Sequence, residues 1–171
     1  VVKEAIDAPH LDPEIKKLTN DALDVLRSLG ANIAEVSIPL MTLSGLINGA
    51  LGSPRSALHW KHLNESPHLY DTGVRRYTVL PALLPAVTYH RALQLRSLLR
   101  DQVLATFATF DALITPGYAQ FPPRIADTKA DSVSKEDAVE QMRRYGFHTP
   151  ANFAGTPAIS VPMGFSAAGL P

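Results

Sequence analysis

The order of apolar and polar positions divides the chain into helical and extended stretches. Ile15, Leu18, Ala22, Val25, Leu26 and Leu29 recur at helical spacing and predict one apolar stripe. Ahead of them, Asp12 can cap, Pro13 suits the first helical position and Glu14 complements the dipole. Gly30 supplies the stop. Residues 31–38, with Ile33, Val36 and Ile38 apolar and Pro39 at the end, predict a strand, and Val1-Val2 reads as the tail of another. Residues 41–51 are apolar and weakly helical, interrupted by Gly45 and Gly49. A helix is expected over 55–63, then a polar connection over 64–73.

The longest helical pattern covers 85–110. His90, Gln94, Ser97 and Asp101 share a narrow polar face, while Val87, Leu93, Leu95, Leu98, Leu99, Val103 and Phe107 cover much of the rest. Such a helix is expected to be covered on several sides. That demands more partner surface than a small domain supplies, and so implies a larger body. Residues 111–116 predict a short buried strand, 117–132 a proline-rich loop and 134–145 a short helix capped by Ser134. Proline-containing turns over 149–157 are expected to lead into a strand at 158–161 and a turn at 162–165. The alternation of helix and strand predicts an α/β fold.

Composition narrows the chemistry. The 171 residues carry 16 basic and 16 acidic side chains and no cysteine. Disulfides, thiolate metal sites and a cysteine nucleophile are therefore excluded. A balanced charge with interspersed signs argues against a nucleic-acid partner, which needs a basic face. No run approaches the roughly 18 apolar residues of a membrane span. The chain opens on Val1 and closes on Gly169-Leu170-Pro171, which reads as a cut at both ends.

Catalytic groupings are sparse. Ser56 and His59 stand three apart, with Asp71 later, but without the usual elbow around the serine; a capping or surface serine beside a partly buried histidine explains them far better than a local triad. His59 and His62, with Glu65 and His68 near, lack the spacing of a zinc site. Gly45, Gly49 and Gly52 precede no Lys-Ser or Lys-Thr, so helix packing accounts for them better than a phosphate cradle. Arg75-Arg76, with Arg91, Arg96 and Arg100, suits either a bound carboxylate or ion pairs with neighbouring acids. A neutral lysine base needs an apolar setting that costs its charged form roughly 4 kcal/mol. Lys3, Lys16, Lys17, Lys129 and Lys135 have polar or charged neighbours, and Lys61 alone has an aromatic one. No complete active site is legible, and no cofactor or metal is implied.

The run TPANFAGTPAISVPMGFSAAGLP at 149–171 resembles the C-terminal region of the amidase signature family, whose members read TxPxNxAGxPAxSxPxGxxxxGLP there. FDALITP at 110–116 and the helix and strand over 13–39 are similar to family features in the same order. The resemblance implies a mixed sheet flanked by helices, incomplete here, with residues 1–171 as the C-terminal fragment of one amidase domain. It implies a cytoplasmic enzyme that cleaves a small-molecule carboxamide to carboxylate and ammonia or amine, without a cofactor. Serine nucleophile, second serine and lysine base would lie upstream of the matched region, so no catalytic residue is assigned here.

What remains would line the substrate pocket. Tyr145, Phe147 and Thr149 would lie nearest the substrate, with Asn152 pinning the adjoining turn or contacting the ligand. Core packing explains Phe147 as readily. Gly155 would allow close backbone approach. The amidotransferase members of the family carry an acid shortly before the Thr-Pro, a place that falls on Tyr145 and so implies a general amidase. The alternatives are an A-subunit-like part of a glutamyl-tRNA amidotransferase and a non-catalytic interaction module. A severed half is expected to dimerise or aggregate through its exposed apolar face.

Overall fold

The computed structural model describes residues 1–125 and 147–171. The helix expected over 134–145 lies outside them. The first element is a single turn, α1 (Lys3–Ile6), which buries Ala5 and Ile6. It is followed by α2 (Pro13–Ser28), whose N-terminus forms as the sequence predicts: Asp12 Oδ1 accepts the Glu14 amide at 2.8 Å. Of the α2 stripe, Ile15 is buried and Leu18 and Ala22 are half-buried, but Val25, Leu26 and Leu29 are exposed; Thr19 and Leu23, outside the expected stripe, are buried. The stripe is covered only over its first turns.

The expected mixed sheet is absent: the described residues are helical and irregular and contain no strand. Three of the expected extended segments do approach one another. Val36 N donates to Val1 O at 3.0 Å, Lys3 N to Val36 O at 2.9 Å, and Val2 N to Ile114 O at 3.1 Å. These contacts amount to one isolated parallel bridge, Val2 to Val36. The fourth, 158–161, makes no backbone hydrogen bond among the described residues and is exposed throughout. Apolar, β-branched residues favour a strand only where neighbours complete the ladder. Here each segment meets a neighbour at one point or not at all. Glu4 ties the first crossing together, accepting from the Ser37 hydroxyl and from the Ile38 amide, the latter at 2.8 Å.

A 3₁₀ turn (Pro39–Leu43) leads into α3 (Ser44–Ala50), where the apolar run outweighs its two glycines. Next come α4 (Ser53–Glu65), a turn at Pro67–Leu69, α5 (Thr72–Val79) and a turn at Leu80–Leu83. The sequence reading ends its polar connection at Gly73 and misses α5. Its signal was Asp71, whose carboxylate accepts the Gly73 amide at 2.8 Å as an N-cap. The elements α4, α5 and the two turns pack mainly on one another as a helical hairpin.

The longest element, α6 (Ala86–Thr106), is the spine of the core. It buries Ala92, Leu99 and Val103 against α3 and a last helix, α7 (Thr149–Ala154). Val2, Ala5, Ile38, Met41 and Ile47 join the same core. Among the described residues α6 is packed on one face: Val87, Leu98 and Leu104 are exposed, and so is Phe107 just past its end. The tail returns across α2, where Glu14 Oε1 accepts the Ala167 amide at 2.6 Å and Met163 Sδ meets Thr19 Oγ1 at 3.5 Å. Gly164 has φ 145°, a backbone conformation that favours glycine, and a Cβ there would also press on the flexible end of the Leu18 side chain, 2.8 Å from Cδ2.

The single-sided burial of α6 gives a direct prediction. Leu99→Ala removes a fully buried side chain and should cost about 3 kcal/mol in urea denaturation. Leu98→Ala, one residue away and 55% exposed, should stay within about 0.5 kcal/mol.

Candidate functional site

Three segments converge on the place where the sequence puts a substrate wall. The first is the approach to α2, the second the irregular stretch 115–121, the third the entry to α7. The Asp12 amide donates to Ala119 O at 2.8 Å, which fixes the first to the second. Pro116 and Ala119 are buried there. Thr115 Oγ1 reaches Phe147 O at 3.5 Å, a long contact between the second and the third. Phe147 itself is buried and lies parallel to the His10 ring, with centroids 5.7 Å apart and planes 12° off parallel. His148 and Tyr118 pair beside them at 5.3 Å.

The expected turns over 149–157 are replaced by α7. Thr149 and Pro150 open it, and both are buried with Phe153 and Ala154 against α6. Proline in the first turn removes no helical hydrogen bond, which is why the Thr-Pro pair starts a helix here. Gly155 ends it at φ 72°, with Gly155 N and Thr156 N both bonded to Ala151 O. The reason for glycine is this left-handed cap, not close approach: a Cβ there would meet nothing within 4 Å. Of the expected site residues, Phe147 and Thr149 are thus packed inward, Asn152 is exposed on α7, and Tyr145 lies outside the described residues. His10 and Tyr118 join Phe147 and His148 at this place. Their only sequence signal was their aromatic type, since they are far apart in the chain.

The suggested serine grouping comes apart in structural roles. Ser56 is fully buried and donates to Thr78 O at 2.6 Å, tying α4 to α5. His59 Nδ1 meets the Tyr70 hydroxyl at 3.0 Å, and Asp71 caps α5. Ser28, Ser44 and Ser97 donate to backbone carbonyls of their own helices or turns. No hydrogen bond among the described residues joins a serine hydroxyl to a lysine or histidine. Lys17 is held above the ordinary lysine value by its hydrogen bond to Asp21, the direction opposite to what a base needs. No group of histidine and acidic residues among the described residues could hold a metal ion.

A separate feature lies on the α4–α5 hairpin. Thr72, Arg75, Arg76, Val79 and Leu80 line an open cleft of about 390 Å³. Neither arginine has an ion-pair partner among the described residues, while Arg100 of the same sequence grouping lies 3.9 Å from Asp101. Two guanidinium groups beside valine and leucine suit an anion with an apolar body. The hairpin also carries a cation–π contact, with Arg55 standing 3.6 Å above the Tyr77 ring.

Comparison with known proteins adds an independent finding. Residues 1–171 match the family described as Amidase. An amidase of Pseudomonas putida is 30% identical over 165 residues, covering 94% of this chain and 35% of its own length. The A subunit of the glutamyl-tRNA(Gln) amidotransferase of Geobacter sp. (strain M21) is 29% identical, covering 94% of this chain and 37% of its own length. Its counterpart in Synechococcus sp. (strain CC9605) is 30% identical, covering 100% and 39%. The chain therefore spans a little over a third of the length of the curated relatives it matches.

The structural role of Ser56 is testable. Ser56→Ala leaves the Thr78 carbonyl unpaired in the interior and should cost about 1–2 kcal/mol in thermal or urea unfolding. An unchanged stability would remove the hydroxyl from the hairpin's packing.

Proposed function

This chain belongs to the amidase family, and we propose that it is the scaffold and pocket-lining portion of a larger amide hydrolase. The reading is carried by the family match over residues 1–171 at a little over a third of the relatives' length. The proposed reaction is attack of a serine oxygen on the carboxamide carbon, loss of ammonia or amine, and hydrolysis of the acyl-enzyme. Nucleophile, second serine and base would come from a portion of the parent outside these residues. The exposed faces of α2 and α6 support that, because a buried setting is what Val25, Leu29, Val87 and Leu98 suit.

On this reading Phe147 and Thr149 position the substrate wall from within, with Tyr145 and Asn152 nearer the ligand. The substrate is a small amide, no cofactor takes part, and the parent works in the cytoplasm. No described helix is long and apolar enough to cross a membrane.

A second reading is favoured by the arginine cleft: a substrate bearing a carboxylate, as an amidotransferase-like parent would take. Short-chain carboxylates titrated against the isotope-labelled chain should shift the amides of 72–80. Replacing Arg75 and Arg76 together by alanine should weaken that binding at least about tenfold, and Arg91→Ala should not. Equal binding by all three proteins would discard the carboxylate reading.

The primary reading predicts that this chain alone hydrolyses neither arylamides nor small aliphatic amides. Turnover that survives repeated purification and persists in Ser56→Ala would contradict it, since it would require a complete nucleophile–base couple within these residues.

A further inference from the structure

Two aromatic rings face solvent at the candidate site while the residues on either side of them are anchored. In 115–119 the exposed positions are Gly117 and Tyr118, and in 147–150 His148 alone. Pro116 and Ala119 are buried around Tyr118, and Phe147 and Thr149 are buried around His148. The Asp12 amide, donating to Ala119 O at 2.8 Å, fixes the first segment, and the Thr115 contact to Phe147 O at 3.5 Å joins it to the second. The two rings lie 5.3 Å apart, centre to centre, with planes tilted by 41°. Tyr118 is 56% exposed, so much of its ring stays open after this contact. There is room beside it, since a Cβ on Gly117 would meet nothing within 4 Å.

We propose that the Tyr118–His148 pair is a stacking platform for an aromatic ring of the substrate, so that the parent acts on carboxamides bearing an aryl group. The inference rests on the amide-hydrolase reading and names its substrate class. An aromatic face is electron-rich and its edge electron-poor, so a further ring gains by lying offset on a face or edge-on to it. An alkyl body of the same size buries apolar area there without that gain. The buried residues that flank both rings hold their backbone in place before a ligand arrives, which lowers the entropy lost on binding.

The chemistry of this patch separates it from the uncovered faces of α2 and α6. Those faces present leucines and valines, which suit burial under further protein. Here the exposed side chains are a tyrosine and a histidine, and no aliphatic side chain is exposed in 115–119 or 147–150. Each ring has a flat apolar body and a polar edge. That combination suits a small planar ligand in a pocket that stays partly wet. The position agrees, because His148 stands between Phe147 and Thr149, both on the proposed substrate wall.

Benzamide and its non-planar counterpart cyclohexanecarboxamide, titrated into the isotope-labelled chain, test the proposal by NMR. Benzamide should shift the amides of 117–119 and 147–149 and bind at least about threefold more tightly than cyclohexanecarboxamide. Tyr118→Ala and His148→Ala should each weaken benzamide binding at least about threefold, and Tyr118→Phe should keep it within about twofold. Trp60→Ala, which removes an exposed ring on α4, should leave it unchanged. Both replaced rings are exposed, so the alanine variants should unfold at the same urea concentration as the unaltered chain, which keeps loss of binding apart from loss of fold. Overturning results are no benzamide shifts at 117–119, equal affinity for the two amides, or alanine variants that bind as the unaltered chain does. The catalytic reading fails separately, through amide turnover by this chain alone, which these titrations do not measure.

Discussion

The buried face of α6 is the constraint from which the rest of the structure follows. Leu99 is fully enclosed, with Ala92 and Val103 on the same side, and α3 and α7 close over them. A helix of 21 residues spans about 30 Å, so it reaches from the crossing of the first residues to the hairpin of α4 and α5. The first 3₁₀ turn, α3 and α7 are placed by their relation to this face, while α4 and α5 pack mainly on each other. The entry to α7 is held where Phe147 can meet His10 because Phe153 and Ala154 are buried in the core that α6 supports.

Much of the helical layer was legible in the sequence, and for identifiable reasons. Asp12-Pro13-Glu14 set the start of α2 through a cap that the structure contains, and the long apolar pattern set α6. Local chemistry decides both. The extended segments differ from expectation for the opposite reason: Ile33, Val36, Ile159 and Val161 have the composition of strands, but a strand exists only through partners elsewhere in space. Sequence pattern reports suitability for a sheet and says nothing of whether neighbours are there to complete it. The fate of α5 shows a smaller version of the same limit, since one aspartate cap was the only strong sign among polar residues.

The candidate site was legible only in part. The run from Thr149 to Pro171 carried the family resemblance, and the family match over the whole chain agrees with it. The same run suggests turns, yet Thr149-Pro150 begins a helix and Gly155 closes it through a left-handed cap. His10 and Tyr118 were invisible as neighbours of Phe147 and His148, because contacts between distant segments leave no spacing to read. Conversely, Ser56, His59 and Asp71 look like a grouping in the chain and are separate fastenings of a helical hairpin. Proximity in sequence is weak evidence of chemistry when each polar group already satisfies a local structural need.

Two kinds of surface result: a packed side, where α6 meets α3 and α7, and an uncovered side with leucines and valines facing solvent. Amide hydrogen exchange of the chain at low concentration measures that division most directly. The account predicts that exchange is slowest in α6 around Ala92 to Val103, by orders of magnitude, and fast throughout 157–165. Exchange in α6 as rapid as in 157–165 would mean that its buried face does not hold the molecule together, and would contradict the account.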